Sequence, residues 1–387
     1  GIVLMNRDIL ILSASPFTKW YFDLFGIEVL TRHFNVRVLD CTAWLKPHFW
    51  EKYSETHYEF PEYSTIGDWD GFNKSLSTLS NPIAIYGLSN CIKSRRIHRQ
   101  LKSRGIPVTI IHSGLLPGLS ATTSMLGRVR NVFRQGNLRR TILHRLYSKM
   151  SPPLPADIAI LSGEASLKDL CAPAPHQIWA HSFDYDIYLR PRDEVRERSE
   201  PYAVFLDEDM VHHPDWSYMG VQPPATEEGY YDALHAFFEK FERTTGLRIV
   251  IAAHPRFRYD LRPQLLAGRE VVHGRTAELV RDADLVFAHA STSVSFAVLW
   301  RKPMVFLTTN ELNQSYMAPH IKGRSQLFHA PLLNCSCTDR QNIDLKTWLL
   351  INESAYADYK RAYIKRAGTP ERPIWEIFSD YVRKNLN

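Results

Sequence analysis

The stretch from Leu247 to Thr309 decides the fold. It opens Leu247-Arg-Ile-Val-Ile-Ala-Ala-His254-Pro255-Arg256 and passes through Gly274-Arg275-Thr276-Ala277-Glu278-Leu279. It continues Ala283-Asp-Leu-Val-Phe-Ala-His289-Ala-Ser291-Thr292-Ser293 and closes Lys302-Pro303-Met-Val-Phe-Leu-Thr-Thr309. Three short apolar runs, each ending in small or polar residues, are the pattern of strands buried on both faces. In an open parallel sheet such strand ends point into the ligand crevice. The Ser291-Thr292-Ser293 cluster is expected to open a helix, where free backbone N–H groups can meet a phosphate.

The same alternation extends to both sides. Tyr202–Leu206 reads as a strand ending in Asp207-Glu208-Asp209. Thr226 can cap a helix that carries Glu227 and Glu228 in its first turn. Tyr230, Leu234, Phe237, Phe238 and Phe241 recur at helical spacing as one apolar face, and Gly246 suits the residue just past its end. Further upstream, Asp8–Ser13, Val36–Leu39, Pro82–Tyr86, Val108–His112, Asp157–Leu161 and Gln177–Ala180 read as strands, with helical stretches after Pro16 and over Lys93–Arg104. Residues 45–68 read as an aromatic, irregular inserted loop. Strands alternating with helices predict βα units and parallel sheets.

Arg190–Pro201, charged and proline-containing, reads as a linker. The expected organisation is a Rossmann-like acceptor-side domain over 1–190 and a Rossmann-like nucleotide-sugar domain over 200–370. A C-terminal crossover helix follows over 371–387. The expected fold class is α/β, with two Rossmann-like domains facing each other across a cleft.

Composition bounds the function. The 387 residues are 44% hydrophobic and 23% charged, a globular balance long enough for two domains. The longest apolar stretches, such as Ile9–Leu12 and Ile158–Leu161, are strand-sized, so no membrane span is expected. The start, Gly-Ile-Val-Leu-Met-Asn-Arg-Asp8, lacks a basic region followed by a long apolar core, so no secretory signal is expected. Five scattered cysteines (Cys41, Cys91, Cys171, Cys335 and Cys337) suit a reducing cytoplasm. Cys335-Ser-Cys337 lacks the spacing and the second pair of a zinc site.

The net charge of +6 conceals an asymmetry: Gly71 to Ala156 contains no Asp or Glu but many Lys and Arg, so the remainder is acidic on balance. One-sided charge implies an anionic partner. Within that span Gly127–Lys149 interleaves basic residues with Val129, Val132, Phe133, Leu138, Ile142 and Leu146. It reads either as a surface for an anionic bilayer or as a solvated basic helix pair with one face on the core.

Several strand ends could carry chemistry. Asp207 ends the first strand of the second domain, where a carboxylate can act as nucleophile or base, or simply cap the next turn. His254, Pro255 and Arg256 place an imidazole and a guanidinium past a strand end, where either can stabilise a departing phosphate. Ser291, Thr292 and Ser293 read as a phosphate cradle, as an ordinary N-cap, or as both. His289, just before them, joins the nucleotide set. Thr276 is expected to cap the next helix, and Glu278 either reaches a ribose diol or complements the helix dipole. In the first domain Ser13, Ser113, Gly114, Glu164 and Asp184 are expected at strand ends as acceptor-side residues. Asp184-Tyr-Asp186 has the spacing of a metal pair, but no metal is expected.

The His-Pro dipeptide followed by a Ser/Thr cluster resembles bacterial GT-B enzymes that use CMP-activated acidic sugars. Phe205-Leu-Asp207-Glu-Asp209, with His181-Ser-Phe-Asp184-Tyr-Asp186 upstream, is most similar to the retaining β-Kdo transferases. The resemblance covers most of residues 177–310. It implies a CMP-sugar donor, a glycan or lipid-linked acceptor, no metal and no separate cofactor. It further implies a covalent sugar adduct on the position of Asp207, with CMP contacts from His254, Pro255, Ser291, Thr292 and Ser293. No nucleic-acid partner is expected. The implied location is the cytoplasm, with peripheral contact at an anionic membrane. Two readings of other classes stand beside it: a non-hydrolysing UDP-sugar 2-epimerase of the same two-domain shape, and a non-catalytic module for anionic surfaces.

Overall fold

A computed structural model of the chain describes residues 7–88, 92–112, 155–170, 174–190, 200–213, 216, 222–254, 259 and 263–386. The chain divides into two compact units. The first comprises Gly1–Leu115, Ser151–Leu189 and Ala362–Asn387, and the second Leu116–Met150 and Arg190–Arg361.

The first unit holds a seven-stranded sheet: β1 (Asp8–Ser13), β2 (Asn35–Asp40), β3 (Tyr63–Thr65), β4 (Ile83–Gly87), β5 (Val108–His112), β6 (Ile158–Leu161) and β7 (His176–Trp179). Their order is β3-β2-β1-β4-β5-β6-β7, and every pairing is parallel. The order reverses between β1 and β4, the switch point of a doubly wound sheet. All six residues of β1 are buried, as a strand covered by helices on both faces requires. At the end of β4 a Cβ on Gly87 would sit 2.6 Å from the Leu12 carbonyl oxygen, so only glycine fits there.

The second unit holds β8 (Tyr202–Leu206), β9 (Arg248–Ala252), β10 (Val271–Val272), β11 (Leu285–Ala288), β12 (Met304–Thr308) and β13 (Leu332–Asn334). Their order is β10-β9-β8-β11-β12-β13, again all parallel, with the reversal between β8 and β11. The helix Glu227–Thr245 forms as its sequence predicts. Thr226 accepts from the Gly229 N–H, and Gly246 ends the helix at φ 74°. Its buried face sets Phe237 and Phe241 edge-on against Phe287 of β11.

Residues 45–68 are more ordered than an inserted loop. Pro47 starts a helix over Pro47–Tyr53, and Tyr63–Thr65 adds the edge strand β3 to β2. A three-residue edge strand is too short to show alternation, which is why its sequence is silent. Beyond the second unit the chain returns to the first. The helix Ile374–Asn385 packs there, with Trp375 buried against Phe25 and its indole N–H donating to the Leu24 carbonyl. Gly26, at φ 53°, meets that indole closely: a Cβ would be 2.3 Å from its Cδ1.

Candidate functional site at the strand ends of the second unit

Glu208 lies astride the switch point. It follows β8, and its Oε2 accepts from the backbone N–H groups of His289 (3.1 Å) and Ala290 (2.8 Å), immediately past β11. Parallel register brings this about: Phe205 of β8 faces Phe287 of β11, so the two strands end side by side. Burial pushes the Glu208 carboxyl up to about 7; the two amides and Arg324 counter it only in part. A carboxyl titrating near neutrality can both give and take a proton at working pH.

Asp207 turns the other way, toward β9. It is buried, its Oδ1 accepts from the Asp209 N–H at 3.0 Å, and its Oδ2 accepts from the Tyr259 hydroxyl. The Tyr259 oxygen in turn accepts from the His254 N–H at 2.9 Å. Burial raises the Asp207 carboxyl, opposed by these hydrogen bonds. Asp207 therefore fastens the ends of β8 and β9 together, and both of its oxygens are engaged.

The turn after Asp207 delivers two histidines. Asp209 adopts φ 49°, its Oδ1 accepts from the His212 N–H, and its carbonyl accepts from the His213 N–H. His213 Nε2 lies 3.1 Å from His254 Nε2, with ring centroids 4.5 Å apart. In this contact one ring nitrogen donates and the other accepts. His212 Nε2 contacts Glu227 Oε2 at 2.8 Å.

His289 differs from its expected role. Its ring is fully buried, with Nδ1 2.7 Å from the Leu307 carbonyl and Nε2 2.8 Å from the Tyr230 hydroxyl. A carbonyl can only accept, so Nδ1 carries the proton and Tyr230 donates to Nε2. Burial pushes this imidazole down to about 4, so it stays neutral. The ring belongs to the core, and His289 offers the site its backbone N–H.

Ser291 and Ser293 are half-buried and Thr292 is exposed. Ser291 Oγ accepts from the Ser293 N–H, and Ser293 caps the helix Val294–Leu299 without a side-chain bond. That helix has only six residues, so its dipole is short. Thr276 is the first residue of the helix Thr276–Asp282 and Arg275 is its cap, so the expected cap shifts by one residue. Glu278 lies in the first turn, half-buried. Pro255 and Arg256 lie outside the described residues.

In the first unit Ser13 ends β1, its hydroxyl donating to the Ser15 carbonyl at 2.7 Å. Glu164 is exposed at the start of a 3-10 turn over Glu164–Asp169. Asp184 lies not at a strand end but in the first turn of the helix Phe183–Leu189, because the chain turns helical directly after Ser182. Asp186, in the same first turn, accepts from the Ile374 N–H and so caps the returning C-terminal helix. Ser113 and Gly114 lie outside the described residues, as does Gly127–Lys149. Among the described residues no three His, Cys, Asp or Glu side chains cluster as a metal site. No described helix is long and apolar enough to cross a membrane.

The structure thus brings Asp207 and His254 together and adds Glu208, His213 and Tyr259. Two all-parallel doubly wound units with a C-terminal helix returning to the first are the GT-B architecture. No protein-family model matches the chain, and no curated protein sequence matches it. Among solved structures it is similar to a Listeria monocytogenes protein assigned as a UDP-N-acetylglucosamine 2-epimerase. The identity is 12% and the TM-score 0.52, over 98% of this chain and 96% of that one. It is also similar to MnaA of S. aureus in its UDP co-structure, at 11% identity and a TM-score of 0.53, over 99% and 97% of the two chains. At this identity the likeness is one of fold.

Proposed function

We propose that the chain is an enzyme acting on a sugar nucleotide, with the nucleotide held by the second unit at the carboxyl ends of β8, β9 and β11. The observation that carries the proposal is Glu208. Its carboxyl bridges the switch point and titrates near neutrality, with the His213–His254 pair formed past the ends of β8 and β9. Ligands of doubly wound sheets bind at this location, and groups with shifted titration mark functional sites.

Two reactions share this chemistry. The first is glycosyl transfer, with Glu208 exchanging a proton and His254 facing the departing phosphate. The His254-Pro255 and Ser291–Ser293 motifs support a CMP-activated acidic sugar as donor, and the acid-free basic span supports an acceptor at an anionic membrane. In this reading Asp207 is a positioning residue, because its oxygens already hold Tyr259 and the Asp209 turn. The second is 2-epimerisation of a UDP-sugar. Inverting a carbon centre needs a group that removes a proton and one that returns it, and Glu208 with the histidine pair supplies such a set. The two fold neighbours above support it as well.

A thermal-shift panel of CMP, UMP, UDP and their sugar conjugates tests the proposal. Stabilisation by cytidine compounds selects transfer, stabilisation by uridine compounds selects epimerisation, and no response to any of them sinks both. Incubation with the selected donor followed by mass spectrometry then tests Asp207. A sugar adduct on its peptide would reinstate it as nucleophile.

A further inference from the structure

We propose that Arg324 is the oxyanion-binding residue of the second unit, receiving a phosphate or carboxylate group of the bound substrate on its guanidinium. Arg324 lies in the helix Ala318–Phe328 and is only 5% exposed. It makes no hydrogen bond and no ion pair with any described residue. The other buried side chains on the same helix face have partners. Ile321 joins the core, Ser325 donates to the Ala330 carbonyl, and Phe328 stacks on Phe306. A guanidinium stays charged at any ordinary pH and carries five donors. The side chain is buried along its length, but its nitrogens are not among the buried polar atoms left without a partner, so the fork is reachable from solvent. A guanidinium fork that meets no protein acceptor is available to an entering anion.

The surroundings indicate which ligand. Arg324 is close enough to Glu208 to pull its carboxyl down, and close enough to His320 to disfavour a charge there. Yet it does not close an ion pair with Glu208, whose Oε2 is taken by the His289 and Ala290 amides. The guanidinium therefore stands beside the switch point with its fork unused. A planar fork fits a carboxylate or phosphate through two parallel hydrogen bonds. A sugar nucleotide offers both sources: the phosphate on the nucleotide, and the carboxylate if the sugar is acidic. The identity of the ligand rests on the second unit being the nucleotide-binding half; the anion site itself does not.

Arg324→Met, which keeps the length and removes the charge, and Arg324→Lys, which keeps the charge and removes the fork, test the assignment by calorimetric titration. The probes are pyrophosphate, CMP, UMP, the unphosphorylated nucleosides and free Kdo. The expected result is a loss of about 10- to 100-fold in affinity for one class of anion in Arg324→Met, with nucleoside affinity unchanged. Loss confined to pyrophosphate and the nucleotides identifies a phosphate; loss confined to Kdo identifies a carboxylate. Equal affinity of wild type and Arg324→Met for every probe overturns the inference while leaving the sugar-nucleotide function standing. Pyrophosphate binding that needs Arg324, without any nucleotide binding, keeps the inference and removes that function. Absence of binding by every probe to the wild type overturns both. Urea unfolding without ligand near pH 5, where Glu208 is protonated and its attraction to Arg324 is absent, supplies the second readout. Arg324→Met should unfold at or above the wild-type midpoint, since no bond is lost, and a clearly lower midpoint would mean an internal partner and overturn the assignment.

Discussion

Glu208→Gln separates the charge of Glu208 from its shape. Glutamine fills the same volume, and its carbonyl oxygen can still accept from the His289 and Ala290 amides. What disappears is the titration. In the folded chain burial moves this carboxyl from the ordinary 4.5 of a glutamate to about 7. The folded state therefore binds the proton more tightly than the unfolded one. The stabilisation this gives is complete below about pH 4.5 and is lost as pH rises through about 7. Above that pH, holding the ionised group costs about 3 kcal/mol, of which about 2–3 kcal/mol falls between pH 5 and pH 8. Glutamine carries no such cost. Urea unfolding followed by circular dichroism near pH 5 and near pH 8 measures it, because the difference between variant and wild type cancels every other titrating group. The variant should gain about 2–3 kcal/mol relative to wild type over that interval. At the same time, turnover of the identified sugar nucleotide should collapse and its pH profile lose the limb near 7. A stability difference that does not change with pH would refute the placement of Glu208 as a partly buried, near-neutral acid, and with it the proton-transfer role.

Tyr259→Phe removes the hydroxyl that links Asp207 to the His254 N–H and leaves both without that partner. It should destabilise the chain by about 1–3 kcal/mol in urea unfolding. Trp375→Ala empties the fully buried seat of the C-terminal helix and removes the bond to Leu24. A loss of about 3–5 kcal/mol is expected, read as a lower midpoint. Replacing Ser291 and Thr292 together by Ala should weaken nucleotide binding in calorimetry with little change in melting temperature, since neither hydroxyl bridges distant elements; unchanged affinity would remove them from the site.

The strands, helices and their parallel arrangement follow from local signals. Ile9–Leu12 and Val286–Ala288 are unbroken apolar runs because helices cover both faces of each sheet, and Thr226, the Tyr230–Phe241 stripe and Gly246 mark a helix from cap to end. The sequence therefore determined the two βα series, the returning C-terminal helix and the strand ends where polar side chains collect. It could not reveal β10 and β13, edge strands of two and three residues whose existence depends on the neighbour they pair with. Nor could it divide labour within Asp207-Glu208-Asp209, where neighbouring carboxylates part toward different strands. Tertiary structure sent Asp207 to Tyr259 and Glu208 to the amides past β11, across 52 and more than 80 residues of chain. It also paired His213 with His254, turned the His289 ring into the core, and buried Arg324. The one trace of Arg324 in the sequence is a charge placed between Ile321 and Phe328 on an otherwise buried helix face. Composition and periodicity fix which faces are buried. Which polar groups meet there depends on the register between strands far apart in the chain, and that is set only when the sheet closes.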